Sequence, residues 1–152
     1  MTASGPDDVA ARALERLAFR YASTLDERDQ KGFAALFTEN AVLTLVRRHR
    51  DAADELSRWT GHAELRLVPE GLKRHLRTLH LVGNRLYELS GDTASGRVYC
   101  VAHHIDDNGA VPVDRVLYIR YRDKYRRGRG AEWLFEERSV EIEWSQCSFA
   151  EI

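Results

Sequence analysis

The chain has 152 residues, of which 43% are hydrophobic and 31% charged, a composition that excludes disordered, collagen-like and disulfide-rich proteins. Its 23 basic and 24 acidic residues nearly cancel, which disfavours nucleic-acid binding because that class carries a basic excess. Cys100 and Cys147 are too few for a disulfide framework or a thiolate metal site. With no signal-peptide pattern and no membrane-length apolar run, we expect one domain over residues 1–152, located in the cytoplasm.

The first predicted element is a long helix over Asp7–Leu25. Apolar residues recur there at intervals of three and four, and Ser4 is a candidate N-cap. A polar break follows. A short second helix is then expected to carry Phe33 and Phe37, with Asp29 as its cap.

The middle of the chain alternates between apolar and charged stretches. Ala41–Val46 is β-rich and predicts a short first strand. Arg47–Thr60 is charged and is interpreted as a loop or an inserted lid. A partly helical segment is expected over Ala63–Leu76, broken near Pro69 and Gly71.

The second half of the chain has the period and punctuation of β-hairpins. Turn sequences separate its apolar runs, and Asn108-Gly109 is the strongest of them. The four predicted strands are Thr78–Leu89, Arg97–Ile105, Arg115–Tyr125 and Glu132–Trp144. Consecutive hairpins imply an antiparallel meander, so helices followed by this sheet predict an α+β domain.

Histidines are the candidate catalytic residues. No histidine spacing matches a metal motif, and no phosphate-binding loop or nucleophile elbow is present. His80 lies in an apolar run, where it is either a hydrogen-bonded core residue or an active-site base. His103 and His104 point to opposite faces of their strand, so only one of them can face the concave side of the sheet.

Asp26 and Tyr21 are candidates at the end of the first helix. Asp26 is either a turn carboxylate or the group that fixes the tautomer of a histidine. The two residues are about 140° apart on an ideal helix. They face one cavity only if the helix ends or unwinds before Asp26.

Several motifs resemble those of SnoaL-like proteins in the nuclear transport factor 2-like superfamily. They are the string Tyr21–Asp29 with the following Phe33 and Leu36-Phe37, the strand Arg77–Asn84, and the hairpin Tyr121–Arg127 with Trp133–Arg138. The resemblance implies a cone-shaped α+β barrel, with N-terminal helices packed on a curved, mostly antiparallel sheet.

The resemblance also implies a site. Asp26 and His80 match the aspartate–histidine dyad that scytalone dehydratase, bile-acid 7α-dehydratase and hexachlorocyclohexane dehydrochlorinase share. His103 matches the second active-site histidine of scytalone dehydratase, and Tyr21 matches a pocket tyrosine of the bile-acid enzyme. Arg127 matches a pocket arginine of the dehydrochlorinase.

The expected pocket wall is apolar, as in most small-molecule sites. Leu25 and Leu45 replace the water-holding tyrosines of scytalone dehydratase, so the substrate of that enzyme is not expected. The predicted substrate-binding residues are Leu25, Leu43, Leu45, Val82, Val101, Leu117, Tyr121 and Arg127.

Together these features predict a dehydratase or isomerase that needs no metal or cofactor. His80 would be the general base, Asp26 would orient it, and His103 or Tyr21 would donate to the substrate. The expected substrate is a small hydrophobic, oxygenated ring compound of polyketide or steroid type.

Two alternatives stay open. A polyketide cyclase would use the same residues, whereas a non-catalytic binding or dimerisation module would have an unpaired or packed His80 and no ligand-sized cavity. Neither nucleic acid nor a membrane is an expected partner, and the apolar outer face of the sheet predicts a homodimer or homotrimer.

Overall fold

The computed structural model describes residues 5–152, in which the helices pack on one curved, unclosed sheet. The helices are α1 (Pro6–Asp26), α2 (Gln30–Ala34), α3 (Gly61–Leu65) and α4 (Leu67–Gly71), followed by a 3₁₀ turn at Leu72–Arg74. The strands are β1 (Phe37–Arg48), β2 (Ala53–Thr60), β3 (Arg77–Ser90), β4 (Thr93–Asp106), β5 (Val113–Arg127) and β6 (Trp133–Phe149).

Helix α1 follows the predicted periodicity. Its residues Leu14, Leu17, Tyr21 and Leu25 are almost fully buried against the sheet. This stripe is one face of a helix with 3.6 residues per turn, so burial of the stripe holds the helix in place. Ser4, the predicted N-cap, lies outside the described residues.

Helix α2 has the predicted cap but is shorter than expected. The Asp29 carboxylate accepts a hydrogen bond from the Gly32 backbone N–H at 2.8 Å. Phe37, placed in this helix by its spacing, instead begins β1 and pairs with Phe135 of β6. The prediction was wrong because sheet pairing outweighs local helical spacing at this position.

The sheet confirms the predicted α+β class and the meander. The strand order is β2-β1-β6-β5-β4-β3. Every neighbouring pair is antiparallel except β1 with β6, which is parallel. The consecutive hairpins from β3 to β6 therefore form the body of the sheet, and β2 and β3 are its edges.

The interpretation of Arg47–Thr60 as a loop was wrong. Strand β1 extends to Arg48, and β2 pairs with it antiparallel after a turn in which the His49 N–H donates to the Ala52 carbonyl at 2.9 Å. Because β2 is an edge strand, most of its side chains are exposed and charged, which protects the edge from pairing with other chains. This composition resembles that of a loop.

The segment from α3 to the 3₁₀ turn confirms the partly helical prediction for Ala63–Leu76. It begins two residues earlier, at Gly61, and α4 ends at Gly71. Leu65 and Pro69 are buried, so the segment packs over the rim of the sheet.

An aromatic core fills the space between the helices and the inner face of the sheet. Tyr21, Phe33, Phe37 and Phe135 contact one another with ring centroids 5.1 to 6.3 Å apart. Within residues 5–152, no helix is long and apolar enough to cross a membrane.

Candidate active site

A cavity of about 540 Å³ lies on the inner face of the sheet, closed on one side by α1 and α4. Its wall is mainly apolar and includes Leu25, Leu43, Leu45, Trp59, Val68, Leu117 and Ile142. Three histidines and four charged residues complete the lining. A larger and more open groove of about 710 Å³ elsewhere on the sheet contains no histidine, so the inner cavity is the candidate site.

Asp26 and His80 form a hydrogen-bonded pair at this cavity. The Asp26 Oδ1 lies 2.7 Å from the His80 Nδ1, and Asp26 Oδ2 accepts the His80 backbone N–H at 3.0 Å. Asp26 Oδ1 also accepts the Thr78 hydroxyl at 2.9 Å. The His80 side chain is 6% exposed and lines the cavity, whereas Asp26 lies behind it.

The hydrogen bonds to Asp26 set its ionisation. Partial burial acts to raise the pKa of Asp26, but the side-chain and backbone bonds from His80 outweigh it, with a smaller effect from Thr78. The pKa of Asp26 is therefore below its ordinary value, and the group is a carboxylate at neutral pH. A carboxylate at Nδ1 favours the tautomer with the proton on Nδ1, so Nε2 keeps its lone pair.

Arg28 fixes the end of α1 on which Asp26 lies. Its backbone has a φ of +61°, which turns the chain sharply after the helix. Its guanidinium donates to the carbonyls of Leu25 at 2.7 Å and Asp26 at 3.1 Å, and to the Thr78 hydroxyl at 2.6 Å. A cation at the helix C-terminus also stabilises the helix dipole. Neither Arg28 nor Thr78 was predicted as a site residue.

Tyr21 lines the cavity although α1 does not unwind before Asp26. The Tyr21 side chain reaches the cavity directly. The Asp26 side chain points in another direction and contacts His80, which is the member of the pair that lines the cavity. Burial raises the pKa of Tyr21 to about 12, against the opposing effect of the nearby Arg138. The phenol is therefore protonated at neutral pH and able to donate a hydrogen bond.

Arg138 packs against the two tyrosines of this wall. Its guanidinium makes two hydrogen bonds to the buried Asp123, at 2.8 and 2.7 Å. It also stacks 4.2 Å from the ring centre of Tyr21 and 3.9 Å from that of Tyr121. The buried ion pair and the cation–π contacts thus hold both tyrosines in position.

His104, and not His103, faces the cavity. His103 points to the outer face, where its Nδ1 lies 2.7 Å from Asp114 Oδ2. The sequence indicates this orientation, because Ser95 and Arg97 lie on the same strand face as His103 and both are exposed. Strand alternation then places His104 on the buried face.

His104 lies between two Asp–His pairs. Its ring centre is 5.6 Å from that of His80 and 4.5 Å from that of His75, whose Nδ1 is 2.5 Å from Asp106 Oδ1. Burial, with the neighbouring His80 and His75, lowers the pKa of His104 to about 3, so this ring is neutral. Its Nε2 is buried and has no hydrogen-bond partner among residues 5–152.

The predicted binding residues divide into two groups. The structure places Leu25, Leu43, Leu45, Leu117 and Tyr121 in the cavity wall. Three predicted residues lie elsewhere, and each has a local reason.

Val82 packs against the core beyond the cavity, next to a register shift in β3. Val101 shares the outer face with His103. Arg127 lies at the far end of β5, with its guanidinium 5.0 Å from the ring centre of Trp133. Alignment of short motifs does not fix which face of a strand, or which end of a hairpin, lines a cavity.

The hairpin segment interpreted as a lid also contributes to the wall. Arg47, Leu56, Ser57 and Trp59 line the cavity from β1 and β2. Over the part of the chain that the structure covers, no group of three or more His, Cys, Asp or Glu is arranged to hold a metal ion.

The fold and the cavity together define the nuclear transport factor 2-like class of α+β domain. The chain belongs to the SnoaL-like domain family, whose model matches residues 9–139. No curated protein matches the sequence at a significant level.

Solved structures from several bacteria share the fold. A protein from Novosphingobium aromaticivorans, provisionally assigned as a scytalone dehydratase, is 24% identical over 95% of this chain and 89% of its own, with a TM-score of 0.73. The type-3 hexachlorocyclohexane dehydrochlorinase LinA from Novosphingobium barchaimii is 18% identical over 98% and 97%, with a TM-score of 0.77. A protein of unknown function from Mycobacterium tuberculosis is 25% identical over 93% and 78%, with a TM-score of 0.74.

Proposed function

We propose that this protein is a lyase or isomerase that acts by general acid–base catalysis on a small hydrophobic ring compound. The observation that carries the proposal is the Asp26–His80 pair at 2.7 Å, with the imidazole at the wall of an apolar cavity. A carboxylate behind a buried histidine, and an open space in front of that histidine, is the arrangement that proton abstraction needs.

The reaction follows from the order of these groups. His80 Nε2 removes a proton from a carbon next to a carbonyl group, and Asp26 stabilises the imidazolium that forms. The C–H electron pair becomes a carbon–carbon double bond as a hydroxide leaves the adjacent carbon. The imidazolium returns its proton to the departing hydroxide, which is released as water. For an isomerase, the same proton returns to another carbon.

His104 replaces His103 as the second polar group. Because the pKa of His104 is about 3, the ring is neutral at pH 7 and has no acidic proton to deliver, but its one N–H can donate a hydrogen bond to the carbonyl oxygen on which negative charge develops. The protonated Tyr21 phenol is a further donor to the same oxygen.

A polyketide cyclase is the second candidate, since proton removal next to a carbonyl group also begins an aldol ring closure. The binding-module alternative is disfavoured by the paired His80 and by the size of the cavity. The cytoplasmic location stays a prediction.

The experiment uses a panel of β-hydroxy ring ketones in deuterated water, followed by NMR and mass spectrometry. We expect deuterium exchange at the carbon next to the carbonyl, followed by loss of water. Exchange followed by ring closure of an open-chain diketone would favour the cyclase. If no substrate undergoes exchange beyond the rate without protein, the acid–base proposal is wrong.

The outer face of the sheet supports a homo-oligomer. Leu79, Leu81, Tyr99 and Trp144 are between 42% and 54% exposed on this face, which is a large apolar area for a monomer. Light scattering tests the assembly: we expect the mass of a dimer or trimer, and a smaller mass for Leu81→Lys. A monomeric wild-type protein would contradict this proposal.

A further inference from the structure

Positively charged residues outnumber negatively charged residues in the cavity lining. Arg47, Arg74 and Arg115 contribute three guanidinium groups to the lining, and Asp106 contributes the one carboxylate. The chain as a whole has a net charge of −1, so this excess of positive charge is a local property of the cavity. A cavity lined by one sign of charge attracts ligands of the opposite sign.

The single carboxylate is already occupied within the protein. Asp106 Oδ1 accepts from His75 Nδ1 at 2.5 Å, and Oδ2 lies 3.6 Å from Arg115 Nε. Burial acts to raise the pKa of Asp106, but the His75 hydrogen bond and the nearby charges lower it overall, so the group is ionised. Asp106 therefore positions Arg115 and leaves the other two guanidiniums uncompensated.

His75 positions Arg74 in the same network. Arg74 Nε lies 3.2 Å from His75 Nε2, and because an arginine N–H only donates, Nε2 must be the acceptor. His75 is then the neutral tautomer with its proton on Nδ1, directed at Asp106. The His75 side chain is 5% exposed, so a buried histidine orients one arginine and, through Asp106, a second.

The terminal Nη atoms of Arg74 and Arg115 take no part in the contacts with His75 and Asp106. Among residues 5–152, the Nη atoms of Arg74 and Arg115 donate no hydrogen bond, and Arg47 has no hydrogen-bond or ion-pair partner. A guanidinium presents a planar pair of N–H groups that matches a carboxylate. The buried His75 and the partly buried Asp106 thus anchor Arg74 and Arg115, whose Nη groups are left to bind an anion.

We infer that the substrate is a ring compound bearing a carboxylate, which Arg74 and Arg115, with Arg47, bind at the mouth of the cavity. The ring lies against the apolar wall, and the anion keeps it in one orientation towards His80. This inference deepens the proposed function by naming the substrate class. The carboxylate that orients the substrate at the arginines is a different group from the carbon that loses its proton to His80.

A matched pair of probes tests the site by calorimetry and by tryptophan fluorescence, to which Trp59 in the cavity lining contributes. The probes are 2-naphthoate and its uncharged methyl ester, which share the ring. We expect the acid to bind at least ten times more tightly than the ester. Equal binding of the two, or no binding by either, would overturn the inference.

Arginine variants test whether a preference for the acid over the ester arises at these residues. Arg74→Gln and Arg115→Gln should each reduce the acid-to-ester ratio about tenfold, while binding of the ester is kept and reports a folded cavity. Arg20→Gln makes the same charge change on an exposed residue of α1 and should leave the ratio unchanged. A preference that survives both cavity variants would overturn the inference.

Two further measurements separate this inference from the acid–base proposal. His80→Gln should keep the preference for the acid while deuterium exchange is lost. Deuterium exchange in a wild-type protein without that preference would overturn the anion site alone. Tighter binding of 2-naphthyl phosphate than of 2-naphthoate would overturn the assignment of the anion as a carboxylate.

Discussion

Two Asp–His pairs of nearly identical geometry lie on opposite faces of the sheet. His80 faces the cavity with Asp26 behind it, and His103 and Asp114 lie on the outer face. Each pair has 2.7 Å between Nδ1 and the carboxylate oxygen. The inner imidazole is 6% exposed and the outer one 31%.

The difference between these pairs lies in their surroundings. The inner carboxylate accepts two further hydrogen bonds, and its histidine opens onto an apolar cavity. The outer histidine borders an apolar surface with no space of ligand size, since the neighbouring depression is only about 140 Å³. The hydrogen bond of a dyad therefore does not define an active site; the enclosed space in front of it does.

Removal of the two histidines should give the largest contrast. His80→Gln removes the base, and we expect turnover of any substrate found to fall about 1,000-fold, within the range usual for general acid–base groups. His103→Gln is the matched control and should change turnover less than about threefold, because this residue is outside the cavity. Steady-state rates check both variants, and comparable losses would remove the distinction between the two faces.

Substitution of the carboxylates should give a smaller contrast. Asp26→Asn keeps the shape of the side chain but no longer selects the Nδ1–H tautomer or stabilises the imidazolium, so kcat should fall about 100-fold. Asp114→Asn should leave kcat unchanged. If Asp26→Asn alters only KM, Asp26 positions the substrate and does not assist the base.

The buried His104 on the inner face should make the free energy of unfolding of the protein depend on pH. The folded pKa of His104 is about 3, below the unfolded value of 6.5, so the unfolded state binds the proton first as the pH falls. The stability is complete above about pH 6.5 and decreases towards pH 3. Between pH 7 and pH 5 this one group should cost about 2 kcal/mol of the free energy of unfolding.

His104→Phe removes that dependence. Urea unfolding at pH 7 and pH 5 should show a smaller loss of stability for the variant than for the wild-type protein. An equal loss in both proteins would mean that the ring is protonated in the folded state. The carboxylates and the other five histidines are present in both proteins, so the difference between variant and wild type isolates His104.

Much of the fold follows from local sequence. The spacing of Leu14, Leu17, Tyr21 and Leu25 predicts α1, and turn residues such as Asn108-Gly109 predict the meander. These patterns are readable because each depends on the periodicity of one element or on the chemistry of one turn. The edge strand β2 was missed because exposed edge strands have the composition of loops.

The site could be predicted only in part. Asp26 and His80 were candidates from their own sequence surroundings, but their pairing came from a family resemblance, because the contact between them spans 54 positions in the chain. His103 was preferred to His104 on a motif match, although the exposed Arg97 in the same strand indicated the opposite orientation. His75, Arg74 and Arg115 were missed because no local pattern relates a turn before β3 to the ends of β4 and β5.

The sequence by itself determined the α+β class, the helix α1, the meander and the alternation that separates His103 from His104. These features depend on interactions between residues that are close in the chain. Only the tertiary structure decided which strand face lines a cavity, which histidine is desolvated there, and which arginines contribute to its lining. Those outcomes depend on register and on packing between distant segments, where a shift of one residue moves every side chain to the opposite face.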